Sequence, residues 1–212
     1  RNGIPMTLDL RELGAVQLDG LREVSNMGAG HAATALSQMT NTRIMINVPR
    51  LQVVPLEEVP DVIGQPDEVV AAVLMHMLGD LTGRTLLIFP KPTAKRLAEL
   101  MLRRPINVES DLNELEQSAV KECGNILSAA YMNALSEFMG MMLLPSPPSL
   151  AIDMSSAVLT TAYLQFSADP NFVVCVESEF LMDESAERLR GLFLLLPDPA
   201  SLQAILRAVR VA

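Results

Sequence analysis

Residues Asp19–Met39 read DGLREVSNMGAGHAATALSQM, and Ser118–Phe138 read SAVKECGNILSAAYMNALSEF. At an offset of 99 residues, Glu23 falls on Glu122, Asn26 on Asn125, Ala35 on Ala134, Leu36 on Leu135 and Ser37 on Ser136. The same offset carries Pro49 onto Pro148. A second pair of blocks follows: GRTLLIFPKPTAKRLAELM (Gly83–Met101) and RGLFLLLPDPASLQAILRA (Arg190–Ala208). Here Pro90 and Pro92 match Pro197 and Pro199 at an offset of 107, so the second copy carries about eight more residues. Two blocks repeated in the same order mark an internal duplication, which constrains the fold more than any local motif.

Each copy reads as a long helix, several strands and a closing helix. In the first, Leu21, Val24, Ala32, Ala35 and Met39 recur at near-helical spacing. Arg43–Val48, Leu51–Val54 and Asp67–Leu78 are β-rich, and Gly79–Gly83 supplies a turn into a strand at Thr85–Phe89. A helix behind Pro92 is expected to run to about Arg104. In the second copy the corresponding expectations are a helix over Asp111–Met139, strands over Phe172–Leu181 and Leu192–Leu196, and a helix over Ala200–Val209. The linker near Pro105–Asp111 is short. The expectation is therefore an α+β protein with pseudo-two-fold symmetry, one domain over 1–212, with repeats over about 15–105 and 110–210.

Composition removes several functions. The net charge of −9 and the lack of Lys/Arg runs argue against nucleic-acid binding, which requires cations against phosphates. Aromatic residues are 4% of the chain, too few for base-stacking platforms. No apolar run reaches the roughly 20 residues of a membrane span, and the N-terminal RNGIPMTLDLRELG lacks a signal-type apolar core. Two cysteines, Cys123 and Cys175, form no disulfide framework and fit a reducing cytoplasm. Two isolated histidines, His31 and His76, make no zinc set.

Asp19, Glu23 and Asn26 are spaced i, i+4, i+7 and so share one helical face, as do Ser118, Glu122 and Asn125. The stripe covers roughly 10 Å of helix at about 1.5 Å per residue. Asn is a poor residue for a helix interior because its amide competes for backbone hydrogen bonds. A single E-x-x-N reads best as a solvated face. Its recurrence within S/D-x3-E-x2-N-x22-P in both copies reverses that judgement.

This double pattern resembles the CheC family of chemotaxis phosphatases, related to CheX and to the phosphatase part of FliY. The residues that carry the resemblance are Asp19, Glu23, Asn26, Pro49, Ser118, Glu122, Asn125 and Pro148. The resemblance implies a cytoplasmic hydrolase acting on the aspartyl phosphate of a phosphorylated CheY-type response regulator. It implies a largely antiparallel sheet shared by both halves, with the two motif helices side by side and exposed. Asn26 and Asn125 would position water, and Glu23 and Glu122 would dock on the regulator's active-site Lys. Asp19 and Ser118 would assist binding at the rim. No intrinsic cofactor or metal is implied, since Mg²⁺ would be held by the regulator; the deamidase CheD is a further implied partner. The alternative is a non-catalytic module that holds phosphorylated CheY or CheD. Two motifs and a C-terminus at Ala212 favour a CheC-type chain over CheX or full-length FliY.

Other residues read more plainly. Cys123 matches Val24 and is expected in the core. His31 reads as surface or packing, and His76 as facing an edge or meeting one polar partner. The 13 methionines read as core filler. Pro49 and Pro148 are expected to end strands. Gly28-Ala-Gly30-His-Ala-Ala33 mimics a dinucleotide-binding loop, but helical sequence precedes it and position 53 is Val where an acid belongs. The matching small residues, Ala29 and Gly30 against Ser128 and Ala129, suggest close approach of the sister helix or a docked partner.

Overall fold

The computed structural model describes residues 14–164, 172–182 and 187–211, so the N-terminal segment read above for a signal peptide lies largely outside the described residues. Helix α1 (Ala15–Thr40) leads into β1 (Ile44–Pro55), a 3₁₀ turn and the short α2 (Val59–Ile63). The hairpin β2 (Val69–Gly79) and β3 (Gly83–Pro90) follows, then α3 (Lys91–Leu102). The second half runs α4 (Glu114–Met139), β4 (Leu143–Pro145), β5 (Ser149–Met154), α5 (Ser155–Leu164), β6 (Phe172–Met182), β7 (Arg188–Pro197) and α6 (Pro199–Val211).

The seven strands form one antiparallel sheet in the order β1-β6-β7-β3-β2-β4, with β5 beside β4 on the same flank of β2. That order has a consequence. The first strand of the first half lies on the hairpin of the second, and β4 and β5 of the second half lie on the hairpin of the first. The hairpins themselves meet through β3 and β7 at the centre. The closing helices follow the same exchange, α6 packing on α1 and α3 on α4.

All four long helices cover one face of the sheet. The apolar side chains between them, including Leu36, Leu87, Phe89, Leu127, Phe180 and Ile205, form the main core. Residues on alternate strand positions, among them Val70, Ala72, Ile88, Val173 and Leu194, face the opposite side, where α2 and α5 cover them. The strands between are apolar on both faces, which is why β3 and β7 read as unbroken apolar runs.

Several sequence expectations need correction. Arg43–Val48 and Leu51–Val54 are one strand, with an extra residue accommodated between Asn47 and Arg50. Pro49 sits inside that bulge rather than ending a strand, because an edge strand tolerates a residue with no N–H where pairing is already interrupted. Pro148 lies in the matching gap between β4 and β5. The sequence reading missed β4, β5 and α5, the copies of β1 and α2 in the second half. The methionines divide: Met75, Met77, Met132 and Met182 are buried, but Met39, Met45, Met142 and Met154 are exposed. His76 exposes its side chain, and its backbone N–H bonds Ser146 Oγ at 2.8 Å. The turn Gly79–Gly83 forms as expected, with both glycines at positive φ, 111° and 149°.

Candidate functional site

The site begins with how firmly its two helices are held. At the start of α4, Asn113 Oδ1 accepts from the Glu116 N–H at 3.0 Å while Glu116 Oε2 accepts from the Asn113 N–H at 3.2 Å, a reciprocal cap. Glu116 is buried and meets Lys95 Nζ of α3 at 2.9 Å. The same ammonium donates to the carbonyls of Asn107 and Asp111, at 2.9 and 3.0 Å, and to Ser110 Oγ at 3.2 Å. One buried cation thus joins α3, the inter-repeat linker and the head of α4. Burial pushes the Glu116 carboxyl up, but the Lys95 ammonium and the Asn113 amide outweigh it and hold it below the ordinary range.

The first copy solves the same problem without charge. Gln17 matches Glu116 in the repeat; its Oε1 accepts from the Gly14 N–H at 3.3 Å and its Nε2 donates to the Leu206 carbonyl of α6 at 3.0 Å. At the far ends, the repeated serines tie each helix to the strand entry. Ser37 Oγ donates to the Ile44 carbonyl at 3.1 Å, and Ser136 Oγ bonds the Met141 carbonyl. Asn41 and Gly140 then reverse the chain in left-handed conformations. Sequence reasoning missed Lys95, Gln17 and Glu116. Only Asn113-x-x-Glu116 carried a local signal, the spacing of a capping box.

Along α1 the buried residues are Leu21, Val24, Ser25, Gly28, Ala29, Ala32, Leu36 and the terminal Thr40, leaving Asp19, Glu23 and Asn26 exposed on another side. On α4, Ser118 and Glu122 are exposed and Asn125 is half-buried. Among the described residues no hydrogen bond or ion pair engages any of these six side chains. Each stripe therefore presents a carboxylate and a carboxamide with unfilled hydrogen-bonding capacity. The glycines separate in role. A Cβ on Gly28 would lie 2.6 Å from Tyr131 Cδ1 and 2.9 Å from Tyr131 Cα, so Gly28 is where α1 and α4 touch. Tyr131 in turn bonds Ser178 Oγ at 2.8 Å and stacks on Phe193. Gly30 is exposed and a Cβ there would meet nothing within 4 Å. It lies one turn beyond Asn26, as Ala129 lies beyond Asn125, and keeps the stripe low beside the amide. Both glycines are inside a helix, which ends the nucleotide-loop reading.

Other chemistries find no support at this surface. Cys123 adjoins Glu122 in sequence but is fully buried; desolvation, with the Glu122 charge, pushes its thiol up to about 12. His31 is exposed. Among the described residues no group of three His, Cys, Asp or Glu side chains is gathered to hold a metal ion, and no helix is long and apolar enough to cross a membrane. A cavity of about 520 Å³ does exist, lined by Arg50, Gln52, Glu177 and Arg190, but it opens near α2 on the opposite face of the sheet. The motif stripes lie on the open faces of α1 and α4, and none of their six residues lines that cavity.

Known proteins match this chain on the same segments. The model of the CheC-like family matches residues 16–52 and 115–152, which span both motif helices and the strands after them. The CheY-P phosphatase CheC of Bacillus subtilis is 32% identical over 91% of this chain and 93% of its own length. The flagellar motor switch phosphatase FliY of the same organism is 26% identical over 71% of this chain and 41% of its own. Among solved structures, Thermotoga maritima FliY superposes with a TM-score of 0.76 at 24% identity, covering 93% of this chain and 98% of that one. The FliM middle domain of H. pylori gives 0.64 at 14% identity, covering 92% and 99%. These two structural likenesses are of fold.

Proposed function

The chain belongs to the CheC-like family, and from that premise we propose that it is a phosphatase for the aspartyl phosphate of a phosphorylated CheY-type response regulator. The observation that carries the proposal is the duplicated Glu and Asn, displayed unengaged on the outer faces of two packed helices. An acyl phosphate is already reactive. What it lacks is a water held in line with the bond to be broken. A carboxamide can accept from such a water and donate to a neighbouring oxygen while adding no charge. Asn26 and Asn125 take this role. Water attacks phosphorus, the bond to the aspartyl oxygen breaks, and the products are inorganic phosphate and the regulator's free carboxylate.

Glu23 and Glu122 dock the helix by pairing with the regulator's active-site Lys, and Asp19 and Ser118 bind at the rim. Mg²⁺ belongs to the substrate, held in the regulator's own pocket. The protein works in the cytoplasm with its regulator, and the deamidase CheD is a second partner expected of the family.

The test is phosphate release from a phosphorylated CheY-type regulator with Asn26→Ala, Asn125→Ala and the double variant. Each single variant keeps a fraction of the activity, and the double variant falls about a hundredfold while still binding the regulator. Full activity in the double variant removes the water-positioning assignment. Binding without any acceleration by the unmutated protein would instead make it an adaptor.

A further inference from the structure

Helix α1 contains one Lys or Arg, Arg22, and helix α4 contains one, Lys121. The two stand at the same place in the repeat, directly before Glu23 and Glu122. Both are exposed, and neither makes a hydrogen bond or ion pair among the described residues. Asp19 lies three residues before Arg22, a spacing that permits a helical ion pair, yet none forms. On the helix surface, Arg22 sits one turn before Asn26 and Lys121 one turn before Asn125, so each cation flanks the amide along the edge of its stripe. Identical placement in two copies that differ at most other surface positions is not the pattern of a merely solvated face.

The electrostatics give these cations a task. The chain carries a net −9. The first stripe adds two carboxylates, Asp19 and Glu23, and the second adds Glu122. The group to be hydrolysed is a phosphoryl anion. Carboxylates on the docking face therefore repel the very charge they must approach, and a free cation one turn from the amide offsets this. We infer that Arg22 and Lys121 are phosphoryl-facing docking residues, one per site, which attract the anionic centre of the phosphorylated regulator toward Asn26 and Asn125. This inference rests on the phosphatase reading above and adds a specificity element to it. The first site, with two carboxylates against one cation, depends on its cation more than the second.

The experiment isolates one site at a time. In an Asn125→Ala background, Arg22→Gln is compared with Arg22→Lys; in an Asn26→Ala background, Lys121→Gln is compared with Lys121→Arg. Release of phosphate is measured from low salt to about 0.5 M, where screening shortens the electrostatic range to about 4 Å. The Gln variants lower kcat/KM about tenfold at low salt, with kcat held within about twofold, and flatten the salt dependence. The conservative variants restore both, and the loss is larger for Arg22. Unchanged kcat/KM and an unchanged salt slope in the Gln variants overturn the inference. Affinity for the regulator loaded with beryllofluoride, a stable phosphoryl mimic, separates the two readings. If the unmutated protein binds but does not accelerate hydrolysis, the phosphatase reading falls. The docking role then stands only if the Gln substitutions weaken that binding. If the unmutated protein does not bind the loaded regulator at all, both fall.

Discussion

Gly28 and Gly30 are two residues apart, yet replacing them with alanine should change stability in opposite directions. Alanine in a helix is favoured over glycine by about 1 kcal/mol. At Gly30 the new methyl meets nothing within 4 Å, so Gly30→Ala gains up to that amount. At Gly28 the methyl would press on the ring and backbone of Tyr131, and overpacking of this kind costs about 1–3 kcal/mol, which exceeds the gain. Urea unfolding of the two variants checks the sign of each. A bulky Gly30→Trp should leave stability near that of the parent while obstructing the first site, which phosphate release in the Asn125→Ala background reads directly. At the same scale, Cys123 and Cys175 are both buried, and burial pushes each thiol up to about 12. Iodoacetamide at pH 8 should label neither in the folded protein and both after unfolding, as mass spectrometry would show.

Among the elements, α4 is anchored by charge and α1 by a neutral amide. Lys95 and Glu116 are nearly inaccessible, with side-chain exposures of 1% and 5%. Removing one partner leaves the other buried and unpaired, so Lys95→Met should cost about 3–5 kcal/mol. Gln17→Leu in α1 sacrifices neutral hydrogen bonds and should cost only about 1 kcal/mol. Because the Glu116 carboxyl is held below its ordinary value, its stabilisation is complete above the ordinary Glu value of about 4.3. It is lost as pH falls through the lower folded-state value. Unfolding free energy measured from pH 6 to pH 3 should therefore drop on the acid side, and the drop should shrink in a Lys95→Met, Glu116→Met variant. The element scale also shows what periodicity could not reveal: a buried Lys in TAKRLAELM looks like any surface cation until α3 is packed against α4.

At the scale of the whole molecule, the exchange of first strands decides how the chain folds. An isolated first half, residues 1–106, would leave β1 without β6 and β2 without β4 and β5. It should not fold as a monomer. Two copies could exchange β1 as the two halves do, so its helical circular dichroism should depend on concentration, with sedimentation as a dimer. A stably folded monomeric half would contradict this account.

The sequence by itself determined the duplication, the two motif helices, the Glu and Asn on each, the burial of Cys123 and the mixed fold class. These are set by spacing along the chain, and helical spacing places side chains on faces without reference to anything distant. Only the tertiary structure decided which strand lies beside which, that Pro49 occupies a bulge and not a strand end, that Gly28 is a contact while Gly30 is a clearance, and that Lys95 holds α4. The contacts behind these features reach from about 20 residues along the chain, Lys95 to Glu116, to about 140, Ile44 to Met182. Local pattern cannot encode such contacts, because they exist only once two hairpins have traded their first strands.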